Sequence, residues 1–239
     1  MAIAAEHHHD HRDITGGTAR AAVFGVSDGL LSNVSLILGV AAADPAPSVV
    51  RLAGLAGLVA GAFSMAVGEY LSVRAQVELV ERELSIERNE LRNRPAKELA
   101  ELVALYESRG VRHEVAEEVA TVLMADPDQA LEIHAREELG VDPHNLGSPL
   151  RAAAASFCAF AVGAFVPLIP WLTVNRTTDA AVLASIVLAV VGATSVGLVL
   201  ARFTGGARWK AAARQVGLAA VSAAVAYVVG SLVGVSGAV

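Results

Sequence analysis

Five stretches of this chain are long and apolar enough to cross a lipid bilayer, at about residues 19–43, 49–72, 149–169, 179–201 and 209–234. A helix rising ~1.5 Å per residue needs roughly 20 mostly apolar residues to cross a hydrocarbon core of ~30 Å. Lipid offers no partner to an unpaired backbone N–H or C=O, so segments of this kind are helical. A chain of 239 residues has room for one or two soluble domains, but 54% hydrophobic residues and a mean hydropathy of +0.53 set that class aside. The first span is interrupted by polar residues, whereas the last three are close to unbroken runs of Ala, Val, Leu and Gly.

The opening MAIAAEHHHDHRD is polar and leads into no short apolar region with a cleavage site, so the first span is expected to stay in the mature protein. Orientation follows the Lys and Arg residues. The connections 44–48 and 170–178 hold one Arg between them, whereas Arg202, Arg208 and Lys210 crowd the connection 202–210, and Arg12, Arg20, Arg74 and Arg151 flank span ends on that side. The N-terminus and residues 73–148 are therefore expected in the cytoplasm and the C-terminus outside. The single cysteine, Cys158, lies in the third span, so no intrachain disulfide can form.

Residues 76–145, between spans two and three, carry 17 Asp and Glu against 8 Lys and Arg, a net of −9, although the whole chain is only −6. Their pattern is helical. Span two runs straight on through QVELVERELSIERNELRNR to Arg94, where Pro95 stops it. PAKELAELVALYESRG begins on Pro and ends on Gly110, the usual asymmetry of helix termini. VRHEVAEEVATVLMADP ends at Asp126 and Pro127, and DPDQALEIHAREELG ends at Gly140. Helical spacing turns Leu99, Leu102 and Leu105 inward, and likewise Val115, Val119 and Val122. The expected fold is an all-α integral membrane protein with five transmembrane helices and a cytoplasmic bundle of three or four helices inserted between the second and third. The boundaries are a His-rich tail at 1–17, spans one and two at 18–72, the acidic bundle at 73–148 and spans three to five at 149–239.

Glu83, Glu87 and Glu90 recur at i, i+4 and i+7 on one face of the first bundle helix, Glu98 and Glu101 are neighbours on the next, and His134 and Glu138 lie one turn apart on the last. Like charges at these spacings destabilise an isolated helix by a few tenths of a kcal/mol per pair, and a shared cation reverses that cost. Carboxylates with an imidazole suit Fe, Mn or Zn. A solvated acidic face paired with Arg82, Arg88 and Arg92 explains the same pattern without metal.

A charge inside a span costs at least ~2.5 kcal/mol on insertion scales, so it tends to face a bundle interior or a wet path. Asp28 is such a charge, on a stripe with Gly25, Ser32, Ser35 and Gly39. Span two answers with Gly57 and Gly61, a spacing that lets helices approach closely, followed by Met65 and Glu69. At helical rise Asp28 and Met65 reach similar depth. A thioether and two carboxylates make a stepping path for a partly dehydrated metal ion, and carboxylates also carry protons. Met65 as packing, Glu69 as an interfacial residue and Asp28 bonded to backbone or Arg are the alternatives.

The segments VFGVSDGLLSN, GAFSMAVGEYLSVRAQ, the Glu-rich insert and HAREELG stand in an order that resembles the vacuolar iron transporter family, from Gly16 to the last span. The resemblance implies a five-span homodimer that moves ferrous iron, and in some members manganese, out of the cytosol in exchange for protons, with no prosthetic group. It implies that Asp28 and Met65 line the path at the dimer interface, with Glu69 in the same motif. It also implies that Glu87, Glu90, Glu98, Glu101 and Glu138 bind metal, with Glu83 a geometric addition. Where the best-known eukaryotic members place two methionines ahead of the last glutamate, this chain has His134 and Ala135; either the imidazole replaces a soft ligand, with Zn²⁺ joining the ions considered, or His134 is a surface residue with no ligand role.

Compact spans suit a prokaryotic cell (inner) membrane. His7, His8, His9 and His11 form a short tract able to collect divalent metal. A membrane-bound di-iron enzyme would show Glu-x-x-His pairs on two helices, which the insert lacks, and an acidic insert does not bind nucleic acid. The chain is therefore read as no enzyme. A membrane-anchored, ferritin-like metal sensor or store without transport remains the alternative function.

Overall fold

A computed structural model describes residues 17–174 and 179–236. The tract His7, His8, His9 and His11 lies outside the described residues. Among these there are eight α-helices and no strand: α1 (Gly17–Ala41), α2 (Pro47–Asn93), α3 (Pro95–Ser108), α4 (His113–Leu123), α5 (Pro127–Glu137), α6 (Pro149–Phe165), α7 (Asp179–Thr204) and α8 (Arg208–Ser236). A 3-10 segment, Val166–Leu172, continues α6. Helices α1, α2, α6 with its continuation, α7 and α8 are long and apolar enough to span a membrane. The chain divides into two compact units, residues 1–70 with 150–239, and residues 71–149.

In the first unit, small residues set how closely helices pack. That is the expectation in lipid, where burial from water no longer drives helix against helix. A Cβ on Gly25 or Gly29 would meet the α6 backbone at Ser156 and Phe160, and one on Gly163 would meet the Val26 carbonyl of α1. Gly39 and Gly230 bring α1 and α8 together in the same way, and Gly197 brings α7 onto Ala211 and Ala212 of α8. Leu30, Val34 and Leu38 of α1 fill the space against Ala189, Ala193 and Ala219. Pro170 has no N–H to offer the Pro167 carbonyl, and the buried Ser185 hydroxyl donates to it instead at 2.8 Å while accepting from Trp171 Nε1 at 2.8 Å. The spacing of Gly57 and Gly61 is used within the chain: Gly57 lies against Asn33 and Leu36 of α1, and Gly61 against the Phe160 ring of α6.

The second unit contains the distal part of α2 with α3, α4 and α5. Pro95 opens α3, and the Asp126 side chain caps α5, accepting from Asp128 N at 2.9 Å. Gly110, at φ +90°, ends the turn after α3 in a conformation that side chains resist. Leu102 is fully buried with Leu99 and Leu105 packed beside it, as the periodicity requires. The inward face of α4 differs from the expected one: Val115, Val119 and Val122 are 37%, 41% and 66% exposed, while Ala116 and Ala120 are fully buried. Both stripes have helical spacing, one residue apart. The alanine stripe allows α4 to lie closer to α3, which leaves the valines on its flank.

Candidate functional site

Two groups of chemistry-bearing side chains stand out, one in each unit. In the second unit, Glu87, His134 and Glu138 each present a ligand atom, all within 4.8 Å of one another, and so do Glu87, Glu90 and Glu98. Glu87 belongs to both sets. Its Oε1 is 3.1 Å from His134 Nδ1, which is 3.0 Å from Glu138 Oε1. The 3–4 spacing on α2 delivers Glu87 and Glu90 to one face, α3 contributes Glu98 from its first turn, and α5 contributes the other two.

The burial of this cluster is unusual. His134 and Glu98 are fully buried; His134 Nδ1 faces the carboxylates of Glu87 and Glu138, and among the described residues its Nε2 has no hydrogen-bond partner. Lys97 Nζ lies 3.8 Å from one Glu98 oxygen. Burial, reinforced by the charges of Glu138, Glu98, Glu90 and Glu101, pushes the Glu87 carboxyl up to about 7. Burial followed by the Glu101 charge raises Glu98 as well. Sealing carboxylates that repel one another away from water is costly, and one divalent cation satisfies carboxylate oxygens and imidazole together. Oxygen and imidazole nitrogen donors suit first-row divalent ions.

Glu101 sits outside both sets. It is bound by Lys97 at 2.7 Å, and that hydrogen bond holds its carboxyl below the usual range. Glu83, half-buried one turn before Glu87, is also outside both.

In the first unit, Asp28, Met65 and Glu69 line a single groove of about 510 Å³, walled by Phe24 and Ser32 of α1, Gly57, Gly61, Ser64 and Gly68 of α2, and Phe160 of α6. The Ser32 hydroxyl donates to Asp28 Oδ1 at 2.8 Å. Arg20 Nη2 lies 3.8 Å from Glu69 Oε1, an atom with almost no exposed surface and, among the described residues, no hydrogen-bond partner. Along the expected Asp28 stripe, only Asp28 and Ser32 face this groove. Gly25 packs on α6, Ser35 hydrogen-bonds Ser222 of α8 at 2.9 Å, and Gly39 lies against Ala226. The small α2 residues leave room beside Met65, and a carboxylate, a thioether and a second carboxylate line the same groove. Another cavity, of about 400 Å³, is lined by Val34, Leu38, Val182, Ile186 and Tyr227 among others and holds no carboxylate, imidazole or thioether for a cation.

Arg20, Phe160 and Lys97 are participants that the sequence pattern did not single out. Phe160 reaches the groove from a helix far along the chain. Lys97 is legible, standing four residues before Glu101.

A profile of the VIT family matches residues 19–231. The chain is 39% identical over 187 residues to the vacuolar iron transporter of Acanthamoeba castellanii, covering 75% of this chain and 67% of that protein. It is 29% identical over 228 residues to vacuolar iron transporter 1 of Arabidopsis thaliana, covering 95% and 91%. Against vacuolar iron transporter 1 of Oryza sativa subsp. japonica it is 31% identical over 222 residues, covering 92% and 88%.

Proposed function

The chain belongs to the VIT family, and we propose that it carries ferrous iron, manganese or both out of the cytosol across a membrane, in exchange for protons and as a homodimer. The observation that carries this reading is the alignment of Asp28, Met65 and Glu69 along one groove of the membrane-spanning unit. An ion leaving water for such a path needs ligands spaced closely enough to hand it on, each weak enough to let go. Two single carboxylates flanking a thioether meet that need, and the same carboxylates carry protons the other way when the ion has passed. The thioether favours a first-row transition ion over Mg²⁺ or Ca²⁺.

In this reading the Glu87, Glu90, Glu98, His134 and Glu138 cluster captures the ion first, with Glu101 and Glu83 adding negative field around it. The Arg and Lys residues at the span ends support a cytoplasmic N-terminus and acidic unit. Purified protein in liposomes, loaded with a metal-quenched dye and a pH dye, tests the proposal. Saturable Fe²⁺ or Mn²⁺ entry with proton exit is expected, and Asp28→Asn or Met65→Ala should abolish most of it. Folded, metal-binding protein that passes no ion would instead identify an anchored metal store or sensor, held by the buried His134 cluster.

A further inference from the structure

A positive charge stands beside one end of the groove. Arg20, Phe24, Asp28 and Ser32 follow one another at four-residue intervals on α1, and the last three line the groove. On α2, which returns after the short turn following Ala41, Gly61, Met65 and Glu69 follow at the same interval. Arg20 and Glu69 thus meet at the end of the groove farthest from that turn, 3.8 Å apart. The Arg20 side chain is 69% exposed while that of Glu69 is 18% exposed, so the guanidinium approaches from the solvent side and the carboxylate belongs to the groove. An exposed arginine on a long stem is free to swing away; the carboxylate, largely enclosed and with no hydrogen bond to Oε1 among the described residues, stays in the groove.

Resting on the transport reading above, we propose that Arg20 is a tethered cation that occupies Glu69 when no metal ion is there, so that an ion in the groove must displace it. The guanidinium neutralises a carboxylate that would otherwise bind a divalent ion tightly at the path's end. It therefore raises the concentration of metal needed to load Glu69 and speeds release from it. A unit charge pair about 4 Å apart in water-like surroundings changes an equilibrium constant roughly fivefold.

The test uses full-length protein in liposomes with Mn²⁺ as the probe ion, comparing wild type, Arg20→Gln and Arg20→Lys. Arg20→Gln should lower the KM for Mn²⁺ roughly fivefold without raising kcat, and Arg20→Lys, which restores the charge, should return KM to within about twofold of wild type. An arginine that merely held Glu69 in place would give the opposite sign, a raised KM. In parallel, Mn²⁺ protection of Glu69 from carbodiimide modification is followed by mass spectrometry, and the half-protecting concentration should fall by a similar factor in Arg20→Gln. Wild-type flux with KM and protection unchanged or raised in Arg20→Gln overturns the role of Arg20 and leaves transport standing. Absent flux with the expected shift in protection overturns transport and leaves Arg20 as a competitor for the metal at Glu69.

Discussion

Glu87→Gln should make the metal-free acidic unit more stable at pH 8 and at the same time remove most of its response to metal. The Glu87 carboxyl is raised from 4.5 to about 7. Between those values the native state holds a proton that the unfolded chain has lost, so stability falls as pH rises through the window. The favourable contribution is complete below about 4.5 and gone above about 7. At ~1.36 kcal/mol per unit the cost of the charged form has a ceiling near 3 kcal/mol. Glu90 and Glu138, two of the charges responsible, are partly open to water, and screening reduces the expected gain from the neutral isostere to about 1–2 kcal/mol. That corresponds to roughly 5- to 30-fold slower amide exchange across α3–α5 at pH 8 if exchange proceeds through opening of the unit.

At pH 5, where wild-type Glu87 is mostly protonated, the difference should shrink to less than half. Metal acts in the opposite direction. In wild type, Mn²⁺ at about 100 times its Kd adds ~2.7 kcal/mol, or about 100-fold more protection, whereas the glutamine lacks the charge that both ligand sets share. Hydrogen exchange read by mass spectrometry on peptides from 95–137, with and without Mn²⁺, measures both effects. Faster exchange in metal-free Glu87→Gln at pH 8 would refute the idea of a buried, mutually repelling carboxylate. A fully retained Mn²⁺ response would refute Glu87 as the shared ligand.

Three further outcomes are expected. His134→Ala removes the one nitrogen donor in the cluster, and isothermal titration should show the affinity for Mn²⁺ or Zn²⁺ falling by tenfold or more while the helical circular dichroism is kept. On α4, Ala120→Leu should cost about 1–3 kcal/mol by overpacking, whereas Val119→Ser on the exposed flank should stay within ~0.5 kcal/mol, and hydrogen exchange of the α3–α4 peptides ranks the two. Gly29→Leu drives a side chain into the Phe160 carbonyl and should abolish monodisperse protein on size exclusion, whereas Gly217→Ala, which meets nothing within 4 Å, should behave as wild type.

Much of the fold is legible because its determinants are local. Span length follows from bilayer thickness. Pro95 and Pro127 open α3 and α5, and the absence of any proline between Pro47 and Pro95 leaves one helix of 47 residues. The 3–4 spacing of Glu87 and Glu90 on α2, and of His134 and Glu138 on α5, likewise puts ligand atoms on one face before any tertiary structure is known. What escaped is relational. Val119 and Ala120 sit on neighbouring stripes that periodicity cannot rank, and closeness of approach decides between them. Gly57 and Gly61 announce a close contact without saying that its partners are Asn33, Leu36 and Phe160. Arg20 looks like an interfacial marker of orientation until α2 brings Glu69 beside it.

The two acidic sites solve opposite electrostatic problems. In the second unit Glu87, Glu90 and Glu98 crowd within ligand distance, their charges oppose one another and burial adds to the strain, so the free energy recovered on meeting a cation is large. On the proposed reading such a site would hold an ion firmly. In the groove of the first unit, Asp28 and Glu69 each have a compensating neighbour, the Ser32 hydroxyl for Asp28 and the Arg20 guanidinium for Glu69. On the transport reading, a carboxylate already partly satisfied would gain less from a passing ion, so the wells along the groove would be shallow, which is the condition for moving an ion rather than keeping it. Deep binding where carboxylates cluster and shallow binding where they stand singly is the division of labour that capture followed by transport requires.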